Sequence, residues 1–202
     1  MKVVLASASD RRAALLKQVG ISFEIDPSAV HEEINTNRSP KSTVLKLAKE
    51  KGMDVARRHS HSLIISADTI VVIDDNILGK PENVTDARRM LQLLSGRTHQ
   101  VYTGVYSAEI GINGTIEKDF SFAERTNVTF SSLDETEIDL YIQGGSPFDK
   151  AGSYGIQDDS GSLFVKKISG DYYNVVGFPL NSFYQHLKKH MPHIHQKLFL
   201  QL

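Results

Sequence analysis

No cysteine occurs in the 202 residues. That absence removes disulfide scaffolds, thiolate zinc sites, iron–sulfur clusters and a cysteine nucleophile together, and it fits a reducing compartment. An excess of one charge is missing too. Lys and Arg number 23 against 24 Asp and Glu, a formal balance of −1, which argues against a surface built for non-specific nucleic-acid binding; an anionic ligand has to be met locally. Long apolar runs are also lacking. They break at Asp68, Asp74 and Asp75, far short of the ~20 residues that span a bilayer. Only Val3 to Leu5 precede the small triplet Ala6-Ser7-Ala8, whereas a secretory core needs ~7 to 15 apolar residues. A soluble cytoplasmic protein, with no membrane or nucleic-acid partner, is expected. Nor is there a Gly-x-x-x-x-Gly-Lys-Ser/Thr phosphate loop, a Gly-x-Ser-x-Gly elbow or a His-Glu-x-x-His zinc motif.

What is present suits one domain. A chain of this length buries roughly 70% of its unfolded surface, and no repeat, low-complexity tract or linker divides it, so a single domain over 1–202 is expected, with the tail from about 188 to 202 unassigned. Val3 to Ala6 reads as a buried strand, followed by a helix carrying Ala13, Leu15, Leu16 and Val19 and closed by Gly20. Residues 21–26 alternate like a strand. Ser39-Pro40 starts a helix running to about Arg58. Leu63 to Ala67 and Ile70 to Ile73 read as β runs with Asp68-Thr69 between them, then a turn at Asp74-Asp75-Asn76. Thr85 caps a third helix, residues 98–110 and 115–130 form a hairpin, and Ser132 with Glu135 reads as a capping box. Leu163 to Ile168 is a strand and Pro179 to about His190 the final helix. Interleaved helices and strands make the class α/β or α+β with a mixed sheet.

Three segments concentrate chemistry. Ser7-Ala8-Ser9-Asp10-Arg11-Arg12 lies where a strand opens into a helix; unpaired N–H groups, a positive dipole end, hydroxyls and guanidiniums there suit a phosphate clamp, although serines also merely cap helices. Asp68 sits in apolar strand material, where an unpaired carboxylate is costly and should have a cation, a metal or a reacting water beside it; the plainer alternative is a solvent-facing turn. Asp149-Lys150-Ala151-Gly152-Ser153-Tyr154-Gly155-Ile156-Gln157 combines glycines that admit close backbone approach with an amide able to read a base edge. Lys80 in Gly79-Lys80-Pro81, with Glu32, Glu33 and Lys51, adds carboxylates for a divalent cation and cations for phosphate oxygens. The histidines at 186, 190, 193 and 195 read as a solvated tail.

Taken in order, Leu-Ala-Ser-Ala-Ser-x-Arg-Arg, Ala-Asp-Thr-Ile-Val, Gly-Lys-Pro, Leu-Ser-Gly-Arg-Thr-His-Gln-Val, Asp-Lys-Ala-Gly-Ser-Tyr-Gly-Ile-Gln and Gly-Asp-Tyr-Tyr-Asn-Val-Val-Gly-Phe-Pro-Leu resemble the Maf family of nucleoside triphosphate pyrophosphatases, the septum-formation-inhibitor proteins, from about Val3 to Leu187. The resemblance implies a Maf/ITPase-like α/β fold, a mixed twisted sheet with two lobes around a deep cleft, often in a homodimer. It implies hydrolysis of a triphosphate to the monophosphate and pyrophosphate with Mg2+, Mn2+ or Co2+. It makes Asp68 the proton acceptor, with Lys80 and Arg12 in the catalytic set. Ser7, Arg11, Lys51, Thr69, Lys150 and Gln157 then bind substrate, and Glu32 with Asp68 holds the cation. The Arg, Ala-Asp-Thr and Gly-Ile-Gln combination is that of the dTTP and UTP class, modified pyrimidines included, rather than the 7-methyl-GTP class. Asp10 stands where the family usually has proline, and Ser66 where it has glycine. The rival class is a regulator of septum formation that binds nucleotides without cleaving them.

Overall fold

The computed structural model describes residues 1–30, 38–157 and 160–200. The fold is mixed α/β, built on a seven-stranded sheet in the order β2-β1-β3-β5-β6-β7, with β4 paired to β3. β1 (Lys2–Leu5) lies parallel to β2 (Glu24–Ile25) and to β3 (Ser62–Ile73), in the register Leu5 to Ile65. β3 pairs antiparallel with β4 (Asn76–Leu78), as β6 (Ile116–Phe130) does with β7 (Val165–Ser169). β5 spans Thr98–Ile110. The chain divides into two compact units, one of residues 1–68, 103–124 and 177–202, the other of 69–102 and 125–176.

In the first unit α1 (Asp10–Gln18) stops where Gly20 takes a left-handed φ of 78° and the N–H groups of Gly20 and Ile21 donate to Lys17 and Leu16, a glycine-closed end of the Schellman kind. Those bonds use up the start of the expected 21–26 strand, which shortens to β2. α2 (Pro40–Ala56) begins as expected, with the Ser39 hydroxyl accepting from the Ser42 N–H. Its buried stripe packs against Val4, Ile64, Tyr106 and Ala108. Two glycines set how closely it approaches. A Cβ on Gly104 of β5 would lie 2.3 Å from the Val44 carbonyl oxygen, and one on Gly52 of α2 would lie 2.3 Å from the Tyr106 ring, so helix and sheet meet nearly backbone to backbone.

The expected solvated histidine tail is a correction. α7 (Leu180–His190) is followed by α8 (Pro192–Phe199), and Met191, Ile194 and His195 are buried. His186 stacks on Phe122 at 4.3 Å between ring centres, and His193 bonds Glu109. An apolar residue at every third or fourth position of 187–194 outweighs the polar count of the segment.

The expected break at Asp68-Thr69 is absent: β3 runs straight through both residues, buried almost throughout, as a strand covered on both faces does. The reversal comes at Asp74 and Asp75, both with left-handed φ, the geometry of a two-residue hairpin turn. In the second unit α3 (Val84–Leu94) is capped by Asn83, not Thr85, and α4 (Glu135–Gln143) by a box of Asp134 and Glu137, not Ser132 and Glu135. Residues 131–133 are held elsewhere, Ser131 N–H by Phe164 and Leu133 N–H by the Ser95 hydroxyl, which moves the helix start onward. α5 (Gly161–Phe164) takes the beginning of the expected 163–168 strand, and α6 covers Tyr172–Val176. No helix among the described residues is long and apolar enough to cross a membrane.

His99 lies inside the second unit's core, its Nε2 2.7 Å from the Tyr154 hydroxyl and its ring edge-on to Phe130. Burial pushes its pKa down to about 3. The unfolded chain therefore takes up a proton from about pH 6.5 downward while the folded chain does not, so stability is lost as pH falls through that window. From pH 6.5 to 4.5 this one group costs about 2 kcal/mol. Urea unfolding of His99→Gln should show a shallower fall over that range than the wild type; parallel slopes would remove His99 from the acid response.

Candidate active site

Asp68 is 4% exposed, and its Oδ1 lies 2.5 Å from Nζ of Lys51 on α2. The helix explains the meeting. Val44, Leu47, Ala48 and Val55 form the buried stripe, and Lys51 falls three and four residues after Ala48 and Leu47, on the same face. As the crossover between the parallel strands β2 and β3, α2 runs against β3. Helical side chains lean toward the helix N-terminus, so Lys51 leans toward the later residues of β3, where Asp68 stands. Side-chain exposures of 12% and 6% make this a buried ion pair.

The β1–α1 turn supplies a second group. Ser7, buried, accepts from the Ser9 N–H at 3.3 Å and from Arg12 Nη1 at 3.1 Å, while Arg12 Nε donates to the Gly177 carbonyl at 2.9 Å. Arg11 is half-buried and Asp10 exposed in the first helical turn, where an acidic group suits the dipole. Extending the β1–β3 register past Leu5 and Ile65 brings Ser7 level with Ala67, one residue before Asp68. Asp54 of α2 accepts from the Ala29 N–H and from Ser28 Oγ, contacts that hold its carboxyl below the usual range, and Ser28 Oγ in turn accepts from the Val30 N–H. Glu32 lies outside the described residues.

The other candidates, Thr69, Lys80, Lys150 and Gln157, lie in the second unit. Lys80 follows β4 by two residues, just past the pairing of Leu78 with Val71 on β3. The 150–152 loop meets the same turn, with Gly152 N–H donating to Gly79 at 2.9 Å. Gly152 has a φ of 70°, and a Cβ there would lie 2.8 Å from Val71; both facts demand glycine. Lys150 is buried, with its ammonium 2.7 Å from Asp149, whereas Lys80 and Gln157 are exposed.

Sequence reasoning named Lys51 as one polar residue among several and missed its partner. The available signal was its place on an apolar stripe, where a cation needs a buried anion. For a divalent cation, the described residues contain no group of three or more His, Cys, Asp or Glu able to hold one. A magnesium-like ion needs only one or two carboxylates when substrate phosphates complete its shell. The hard oxygen donors of Asp68 fit that mode.

A family model described as Maf-like protein matches residues 2–190. The dTTP/UTP pyrophosphatase of Bacillus mycoides (strain KBAB4) is 49% identical over 188 residues, 93% of this chain and 95% of that protein. The dTTP/UTP pyrophosphatase of Bacillus cereus (strain ZK / E33L) is 50% identical over the same length and shares of each chain. Among solved structures, the Staphylococcus aureus Ham1 protein aligns over 64% of this chain and 72% of its own at 13% identity, with a TM-score of 0.41.

Removing one partner of a buried ion pair strands the other charge, whereas replacing both with apolar groups is often neutral. Lys51→Met should therefore destabilise by roughly 3 kcal/mol, and Lys51→Met with Asp68→Leu by clearly less. Urea unfolding of both variants checks this; equal losses would show that the charges are not coupled.

Proposed function

Because the chain belongs to the Maf family, we propose that it is a nucleoside triphosphate pyrophosphatase hydrolysing dTTP and UTP, and related modified pyrimidines, to the monophosphate and pyrophosphate. The observation that carries the reading is the buried carboxylate of Asp68 with the Lys51 ammonium against it, next in register to the Ser7–Arg12 turn. Relatives matching nearly end to end bear that enzyme's name, so a module that only holds nucleotides is not favoured.

Asp68 orients a water and takes its proton as the water oxygen bonds to the α-phosphorus; the bridging P–O bond breaks and its electron pair leaves with pyrophosphate. Lys51 has three N–H donors, enough to hold Asp68 with one while reaching a phosphate oxygen with another. Arg12, braced by Ser7 and the Gly177 carbonyl, and Arg11 offset charge that grows on the phosphates. Lys80 and Lys150 take phosphate contacts, and Thr69 and Gln157 the reading of the pyrimidine edge, as the family resemblance implies. A divalent cation, Mg2+, Mn2+ or Co2+, held by Asp68 and Glu32 would supply further positive charge against the phosphate oxygens.

The test is pyrophosphate release from dTTP with Mn2+. Asp68→Asn should lose ~10²-fold or more in kcat, about 2.7 kcal/mol of transition-state stabilisation; wild-type turnover would end the base assignment. Gln157→Glu should lower kcat/KM for dTTP and UTP relative to 7-methyl-GTP, and an unchanged ratio would strip Gln157 of its reading role.

A further inference from the structure

We propose that Ser66 is a positioning residue that sets the reach of Lys51 to Asp68; the inference rests on the reading of that pair as catalytic. Ser66 is fully buried on β3, and its hydroxyl donates to the Ala48 carbonyl of α2 at 2.7 Å, with the Tyr106 carbonyl a more distant acceptor at 3.3 Å. Both ends of the bond lie just behind the ion pair. Ser66 precedes Asp68 by two residues, so the two side chains share one face of the strand. Ala48 precedes Lys51 by three, so it lies on the same helix face, one turn toward the N-terminus. The lysine stem leans back over that turn on its way to the carboxylate.

At position 52 the helix offers no side chain of its own, and the Tyr106 ring and the Ser66 hydroxyl lie 2.3 and 2.6 Å from where a Cβ would stand. The burial of apolar surface is non-directional, whereas a hydrogen bond is directional. The Ser66 hydroxyl therefore fixes the level of α2 on β3, and the Nζ–Oδ1 distance follows from it.

The experiment is a double-mutant cycle of Ser66→Ala and Lys51→Met, with Ser66→Gly as a second hydroxyl-free variant. Steady-state dTTP hydrolysis and the urea midpoint are measured for each. With Lys51 present, loss of the hydroxyl should lower kcat about tenfold and move KM less than twofold, since sub-ångström misplacement acts on the chemical step. With Lys51→Met in place, the same change should alter kcat less than about twofold, because coupled residues are non-additive. Unchanged kcat in both hydroxyl-free variants, or the same factor lost in both backgrounds, would overturn the positioning role and leave the Lys51–Asp68 reading standing. Wild-type turnover in Lys51→Met alone would overturn that reading, and the inference with it.

Discussion

A carboxylate and an ammonium at 2.5 Å, both withdrawn from water, form the constraint to which the rest of the first unit answers. Desolvating two charges costs several kcal/mol each, and mutual attraction rarely returns more than that. Such a pair is therefore an expense in stability, and its retention fits a chemical use. It also sets severe tolerances. Lys51 has to leave a helix stripe that is otherwise apolar, and Asp68 has to stand in a strand covered on both faces.

The surrounding packing meets those tolerances by leaving side chains out. Where α2 crosses β5, Gly104 admits the Val44 carbonyl, and Gly52 admits the Tyr106 ring. With so little between helix and sheet, the Ser66 hydroxyl supplies a polar link between them through the Ala48 carbonyl. In the second unit a glycine again sets the approach, with Gly152 seated against Val71 while its N–H holds Gly79.

Much of this was legible in the chain itself. The strand before Ser7, the helix behind Ser39-Pro40, the turn at Asp74-Asp75 and the long hairpin follow from local pattern and turn chemistry, which act over a few residues. The motifs carried the family, and with it Asp68, Arg12 and Lys80 as candidates. What local pattern misses depends on distant partners. Asp68-Thr69 reads as a break because aspartate is disfavoured in strands, yet Lys51 allows the strand to continue. Ser132 reads as a cap, but the Ser95 hydroxyl and the Phe164 carbonyl occupy the backbone around it. The histidines after Leu187 read as solvated, although Met191 and Ile194 bury one side of that stretch.

The bond from Arg12 Nε to the Gly177 carbonyl joins positions 165 residues apart, and the first unit draws on three separate stretches of chain. A ribosome releases the guanidinium long before its carbonyl brace, which follows 165 residues later. During that interval the early strands and helices are exposed without their last stretch, and the arginine lacks its anchor. Anchorage of Arg12 thus waits until the chain has been made past Gly177, even if the early strands and helices have formed by then.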